Sequence, residues 1–429
     1  MDYDKFLEQV YTRHSSNVKL GLDRMYSILQ KMDNPEKKLK GIHIAGTNGK
    51  GSTAAMCESL LLFHGHKTGL NTSPHLIDYT ERIRVNGENI APNELMKLYE
   101  EHYELFEQDE ASFFEITTAL AFKHFSDLDI HSSIFEVGLG GRLDGTNPFN
   151  ATVSIITSIS IDHPKSLGST VEQIAFEKAG IIKKNVPVVI GNMESTALDV
   201  ILRQASVMDA PCFIVNRDFF VDNISLSNNG TSFDYAFPKY NISLSNLKTN
   251  LLGRHQASNA ALALTAFFLY FDSLKSEYSE NQIRESLQKV KWIGRLQILS
   301  ENPLVIIDWA HNEEGVSALV SNLKEIFPNH KYHFVISILR DKKLEKMIKD
   351  ICSIAEMIYI TKNPSERAAD LQEQINVAIH CDTKYVADSD LIESVKNCLA
   401  SIDKEKDLVI ITGSLYTIAE VLKHKDELF

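Results

Sequence analysis

Two patterns of apolar positions alternate along the chain. Short unbroken apolar runs bounded by glycine or polar clusters read as buried strands, and longer stretches with apolar residues three and four apart read as helices. Gly41–Ala45 is the first such strand, and Thr53–His64 the helix after it. Lys67–Thr72, Ser132–Glu136, Ala151–Ser160 and Val186–Ile190 are further strands, the third of them a long β-branched run. Met1–Lys40, Pro92–Glu107, Phe113–Phe125 and Val171–Lys178 are helical stretches around them. Tyr79–Val85 followed by Asn86-Gly87 predicts a hairpin turn. Residues 212–250, rich in Phe, Asn and Ser, predict a small antiparallel patch, and Gly253–Tyr270 an Ala/Leu-rich helix. A second rhythm opens after Trp292, with strands at Leu304–Trp309, Tyr332–Ile338, Met357–Thr361 and Leu408–Thr412 and helices between them. Alternation of this kind predicts an α/β protein of parallel sheets with right-handed crossovers.

A chain of 429 residues is too long for one core, and the change of rhythm puts a boundary near residues 292–300, giving domains 1–293 and 294–429. Hydrophobic content of 44% and charged content of 24% are those of a soluble globular protein. A formal charge of −13 argues against a nucleic-acid partner. It also means that an anionic substrate needs basic residues close by, since the global field will not attract it. Met1–Val10 lacks a signal-peptide core, and no apolar run is read as spanning a bilayer, so no membrane partner is expected. The five scattered cysteines form no C-x-x-C pair, which fits reduced thiols in a cytoplasm.

The chemistry gathers at strand ends. Gly46-Thr-Asn-Gly-Lys-Gly-Ser52 joins the first strand to its helix. A glycine turn, a lysine and a hydroxyl at a helix start form a polyphosphate cradle of backbone N–H groups. Lys50 would reach the β/γ-phosphates and the Ser52 hydroxyl would join a Mg²⁺ shell. The spacing departs from G-x-x-x-x-G-K-[ST], because Gly51 separates Lys50 from Ser52. Ser73, Glu136 and His163 each follow a strand of the same domain, where open α/β sheets bind ligands. Hydroxyl, carboxylate and imidazole beside a phosphate loop suit Mg²⁺ held with nucleotide phosphates. Lys178, in Glu177-Lys-Ala-Gly180, reads from physics alone as a helix-end lysine complementing the macrodipole, with Gly180 as the stop. In the second domain Asp308 and His311 close one strand and Ser414 another, with Arg295 at the hinge; capping is the competing role for each.

In this order Gly46–Ser52, Thr72-Ser-Pro-His-Leu76, Glu136-Val-Gly-Leu-Gly-Gly-Arg-Leu-Asp144, Asp162-His163, Glu177-Lys-Ala-Gly-Ile-Ile182 and Asp308–Asn312 resemble the folylpolyglutamate synthase/dihydrofolate synthase family of the Mur ligase superfamily, over essentially the whole chain. The resemblance implies an ATP-binding N-terminal domain on a P-loop-type, mostly parallel sheet. It also implies a Rossmann-like C-terminal domain that carries glutamate, with the active site in the cleft between them. It assigns the triphosphate to Gly49, Lys50, Gly51 and Ser52, with Asn259, Arg295 and Asp308 as the remaining ATP contacts. Ser73 and Glu136 would hold one Mg²⁺, and His163 with a carbamylated Lys178 the second. Val18, Lys19, Leu20, Ser112, Phe113, Phe114, Glu115, Leu143, Asp144 and Gly145 resemble the segments lining the folate or dihydropteroate site. His311 and Ser414 are candidates for glutamate. Trp309 stands where the family usually has Gly, and Pro164 follows His163 where many members carry a polar residue or Met.

The expected reaction is two-step. The folate tail carboxylate attacks the ATP γ-phosphate, and the glutamate amine then displaces phosphate from the acyl phosphate. Lys50 and two Mg²⁺ ions would neutralise the gathered charge. A monomer acting on ATP, L-glutamate and a folate or dihydropteroate is expected. A Mur-type ligase of peptidoglycan precursors is the alternative, disfavoured because only Met1–Lys40 precedes the phosphate-loop strand. A nucleotide-dependent switch would show no dependence on glutamate.

Overall fold

The structure is a computed structural model that describes residues 2–13 and 21–429. Two compact units emerge. The first comprises Met1–Ile224, Ser232–Thr249 and Gln256–Lys291, and the second Ser225–Thr231, Asn250–His255 and Trp292–Phe429.

The first unit is built on eight strands: β1 (Gly41–Ala45), β2 (Thr68–Asn71), β3 (Ile83–Val85), β4 (Glu88–Asn89), β5 (Ser132–Glu136), β6 (Val153–Ile156), β7 (Val188–Ile190) and β8 (Cys212–Ile214). Their order is β4-β3-β2-β5-β1-β6-β7-β8. All are parallel from β2 to β8, and β3 and β4 form an antiparallel hairpin at one edge. Asn86 and Gly87 take positive φ at its turn, as an Asn-Gly hairpin requires. The central strands β1, β2, β5, β6 and β7 are buried along their whole length, which is why they read as continuous apolar runs. One face packs on the helices Pro92–Gln108 and Phe113–Asp127 through Phe122, Phe125, Phe135 and Phe149. Farther along the sheet the same face packs on Val171–Ala179 and Ser195–Val207 through Ile174, Ile156, Ile190 and Ile201, since the strand register puts Ile156 and Ile190 on the side of Phe135. A separate three-stranded sheet follows, in the order β11 (Ile242–Thr249), β10 (Gly230–Phe237), β9 (Phe220–Ser227).

The second unit holds β12 (Gln297–Glu301), β13 (Leu304–Ile307), β14 (Lys331–Ile336), β15 (Ala355–Ile360), β16 (Lys384–Ala387) and β17 (Asp407–Thr412), in the order β12-β13-β17-β14-β15-β16. Every pairing is parallel except that of the edge strand β12. It has its own core, with Phe334, Ile336, Ile358 and Ile410 at the centre.

Several expectations shift. The helix after β1 begins at Lys50, not Thr53, so Lys50, Gly51 and Ser52 form its first turn. The run Ala151–Ser160 is a strand only over Val153–Ile156. Tyr79–Arg82 is a 3₁₀ turn, and only Ile83–Val85 pairs as a strand. Cys212–Ile214 joins the main parallel sheet. The edge strands β12 and β16 lacked a long apolar run and were not expected. Arg254–Leu274 corrects the expectation that no apolar segment reaches bilayer length: it has 21 residues and is apolar enough, but 78% of its most apolar window is buried inside the fold, as in the core helix of a globular protein.

Candidate active site

The phosphate loop leaves β1 between its two parallel neighbours, β5 and β6. Gly49 caps the helix with φ 85°, and a Cβ there would lie 2.5 Å from Asn259 Oδ1, so both backbone and space require glycine. Asn259 is thereby brought against the loop, its Nδ2 donating to Gln256 Oε1 at 3.0 Å. The segment after β6 clamps the loop from the other side. Thr157 Oγ1 donates to Asn48 O at 2.6 Å, Asn48 N donates to Ser158 Oγ at 3.1 Å, and Ser160 N donates to Thr47 Oγ1 at 3.1 Å. This is why the β-branched run stops pairing at Ile156: its hydroxyls serve the loop. Lys50 Nζ folds back onto the carbonyls of Gly46 and Thr47, at 3.1 and 3.3 Å.

Lys178 does not cap its own helix. It is 4% exposed, and its Nζ donates to Gly46 O at 2.7 Å, the same carbonyl that Lys50 holds. Burial first, and the Lys50 cation second, lower its pKa to about 7, with Asp162 and Asp144 opposing. Gly180 is no left-handed stop either, since its φ is −63°. Its need for glycine is spatial, because a Cβ would lie 2.3 Å from Arg142 Cα. Arg142 N donates to Glu177 O at 2.7 Å and its guanidinium pairs with Glu177 Oε1 at 2.8 Å. Loop 138–145 is thus locked to the end of the Lys178 helix. Within it the buried Asp144 accepts from Leu139 N at 2.8 Å and Thr146 N at 3.0 Å, and burial raises its pKa against those bonds.

Ser73 and Glu136 come together at adjacent strand ends, with Ser73 N donating to Glu136 Oε2 at 3.3 Å. Two hard oxygen donors, hydroxyl and carboxylate, fit Mg²⁺. His163 has φ 52° and a half-exposed ring, with Nε2 3.7 Å from Asp162 Oδ2. A bare amine and an imidazole suit Mg²⁺ poorly, whereas a carbamate would add oxygen donors. Among the described residues no three His, Cys, Asp or Glu side chains gather to hold a metal.

Of the folate segments, Val18, Lys19 and Leu20 lie outside the described residues. Ser112 and Glu115 form a capping box, with Ser112 N donating to Glu115 Oε2 at 2.9 Å, and Glu115 also pairs with Arg24 at 3.1 Å. Phe113 stacks on Tyr11 with centroids 5.6 Å apart. Phe114 lies along the loop that contains Leu143 and Gly145, filling the space where side chains on Gly138 and Gly145 would stand. Sequence reasoning missed the Thr157–Ser160 clamp, and also His75, whose ring contacts Tyr11 and Arg82. The hydroxyl run in one and the His in Ser-Pro-His-Leu of the other were the available signals.

In the second unit Asp308 is buried and accepts from Leu296 N at 2.7 Å and Ala310 N at 2.8 Å. Burial raises its pKa, and Arg295 opposes most strongly. The Arg295 guanidinium sits 3.8 Å from the Trp309 ring centroid, so Trp309 offers that face to Arg295. His311 Nδ1 lies 3.1 Å from Trp309 O. Ser414 is fully buried, capping the helix Leu415–Lys423 through Thr417 N and accepting from Asn363 Nδ2 at 3.1 Å. Its hydroxyl is therefore spent on the fold rather than offered to a ligand.

A phosphate loop on one parallel sheet and a second parallel-sheet unit are the parts of a Mur ligase. The Mur ligase middle domain matches residues 44–267, and the Mur ligase, glutamate ligase domain matches residues 294–415. The dihydrofolate synthase/folylpolyglutamate synthase of Bacillus subtilis (strain 168) is 36% identical over 96% of this chain and 97% of its own. A solved Mycobacterium tuberculosis folylpolyglutamate synthase complexed with ADP superposes with a TM-score of 0.92 at 29% identity, covering 99% of this chain and 98% of that one. Escherichia coli FolC in complex with DHPP and ADP does so with 0.87 at 29% identity, covering 100% and 98%. The chain is an ATP-dependent ligase of the Mur ligase superfamily. Within it, the chain belongs to the folylpolyglutamate synthase/dihydrofolate synthase family.

Proposed function

We propose that this enzyme joins L-glutamate through an amide bond to pterin acids, both the tail carboxylate of a folate and the carboxylate of dihydropteroate. The names borne by its relatives support that choice of acceptor. The observation that carries the chemistry is the convergence of the phosphate loop, the Ser73–Glu136 pair and Lys178 at neighbouring ends of parallel strands.

In this reading residues 1–293 take ATP and residues 294–429 take glutamate, in a cytoplasmic monomer. Gly49, Lys50, Gly51 and Ser52 hold the triphosphate, with Asn259, Arg295 and Asp308 as further ATP contacts. Ser73 and Glu136 hold one Mg²⁺, and His163 with a carbamate on Lys178 the other. Bound Mg²⁺ would neutralise and orient phosphate oxygens. Ser112–Glu115, Leu143–Gly145 and Val18–Leu20 border the pterin acid. His311 meets glutamate, and Ser414 holds the strand end beside it.

The acceptor carboxylate attacks the γ-phosphorus and ADP leaves. Lys50 swings from its loop carbonyls to the γ-phosphoryl group, where charge grows. The glutamate nitrogen then attacks the acyl carbon and phosphate departs. The loop's backbone N–H groups hold ATP throughout, so the reacting oxygen and phosphorus stay aligned.

The test is ADP release with dihydropteroate or tetrahydrofolate, each with and without L-glutamate. Amide product with both acceptors, dependent on glutamate, is expected. ADP release indifferent to glutamate would refute the ligase assignment for these substrates.

A further inference from the structure

Two cysteines well apart in the sequence meet at one edge of the second unit. Cys352 is the last residue of the helix Leu344–Cys352, and Cys381 follows the helix Leu371–Ala378. Each stands shortly before a strand, Cys352 before β15 and Cys381 before the edge strand β16. Those strands pair in parallel, Met357 opposite Lys384, so the segments leading into them arrive side by side at the amino ends of the sheet. Thr383 Oγ1 donates to Cys352 O at 3.0 Å and ties the two segments together.

The two thiols face each other across that junction. Burial first, and then the hydrogen bond and charge of the Cys381 sulfur, push the Cys352 thiol up to about 12. Both side chains are only half-buried, so a small reagent can reach them. The other cysteines differ: Cys57 and Cys398 are buried, and Cys212 lies in the first unit. The pair is also asymmetric. The Lys349 ammonium, which bonds Glu345 Oε1 at 2.6 Å, lies within charge range of Cys381. A cation beside a sulfur supports attack by its thiolate, which makes Cys381 the first nucleophile and Cys352 the thiol that resolves. Side chains that point at one another across a fixed junction are what a disulfide needs.

We propose that Cys352 and Cys381 form a modification site, a dithiol that a low-molecular-weight disulfide converts to an intramolecular disulfide. Cys381 attacks one sulfur of the small disulfide, whose S–S bond breaks, and one thiol leaves with the bonding pair. Cys352 then attacks the Cys381 sulfur, the mixed disulfide breaks and a second thiol leaves. The protein gives up two protons and two electrons, and the small disulfide takes them. Asp308, His311 and Ser414 stand at the carboxyl ends of the same sheet, so the bond staples β16 to β15 without touching them.

The experiment treats the full folded chain with oxidised glutathione. Two of the five thiols should be lost, with one peptide joining Cys352 to Cys381 and the intact mass lower by about 2 Da. Cys352→Ser should stop at one glutathione on Cys381, and Cys381→Ser should leave Cys352 unmodified. Both variants should form amide at the wild-type rate. The fluorescence melt of the oxidised wild type should rise by roughly 5–10 °C, as expected of a crosslink across a loop of this length, and dithiothreitol should reverse the rise. The wild-type peptide map decides the site whether or not a serine variant folds. Five thiols still titrating after denaturation, a bond joining any other pair, or glutathione on a residue other than Cys381 in Cys352→Ser overturns the proposal. A Cys352–Cys381 bond with an unmoved melt overturns the staple.

Discussion

An amine buried beside a second amine is poised differently from a surface lysine. Lys178 has its pKa lowered to about 7, so near neutral pH a large share of it is the uncharged amine that reacts with CO₂. Lys178→Ala and Lys178→Arg should both ligate at a small fraction of the wild-type rate, and ¹³CO₂ should label one carbamate in the wild type only. Ligation by Lys178→Arg at the wild-type rate in bicarbonate-free buffer would end the carbamate reading. Stability gives an independent check. With a folded pKa near 7 and an unfolded value near 10.5, the cost of burying the cation is full below pH 7. It shrinks as pH rises toward 10.5, because there the folded state has already shed its proton. That cost is on the order of a few kcal/mol. Without CO₂, Lys178→Met should therefore melt above wild type at pH 6, with the gap closing as pH rises; a gap that widens with pH would contradict the assigned shift. Helical periodicity put Lys178 near a helix end but could not tell which way it faced. Its partner, Gly46, is 132 residues away. Ser73 and Glu136 were legible because strand ends are legible.

Elements here are held by glycines whose reason is contact rather than turn. The sequence places glycines in 138–145 and at Gly180 without showing that these two segments interlock. At Gly180, with ordinary helical φ, the constraint is the Arg142 backbone 2.3 Å from where a Cβ would stand. Gly180→Ala must push loop 138–145 off the helix end, straining the Arg142–Glu177 pair and Asp144's bonds. Overpacking of this kind costs about 1–3 kcal/mol. Thermal melts should show that loss, and acceptor KM should rise because Asp144 and Gly145 shift; an unperturbed melt would mean that the loop is not clamped. Strand existence in the two parallel sheets was readable from unbroken apolar runs. Strand length was not: Thr157 is a good strand former, but its side chain and that of Ser158 are drawn to Asn48. The edge strands β12 and β16 are half-exposed and carry no continuous apolar run, so periodicity passed over them.

At the scale of the molecule, each unit has a hydrophobic core of its own, which permits separate unfolding. The change of rhythm after Trp292 made a second body legible in the sequence. The return of Asn250–His255 to that second body was invisible, since those few residues run into the long helix Arg254–Leu274, whose remainder from Gln256 belongs to the first. Both tryptophans, Trp292 and Trp309, lie in the second unit. Tryptophan fluorescence therefore follows that unit alone, while far-UV circular dichroism follows both. The phosphate loop belongs to the first unit, and a ligand stabilises what binds it by RT ln(1 + [L]/Kd), about 2.7 kcal/mol at a hundredfold excess over Kd. For a unit of this size that corresponds to a rise of roughly 5–10 °C. A non-hydrolysable ATP analogue should thus raise the dichroism transition that fluorescence does not report, and Lys50→Ala should lose most of that rise. L-glutamate alone should move the fluorescence transition, and His311→Ala should remove that shift. If both probes trace one coincident transition in the free protein, the two bodies unfold as one. If the ATP analogue leaves the first transition unmoved at saturating concentration, the loop is not the triphosphate site.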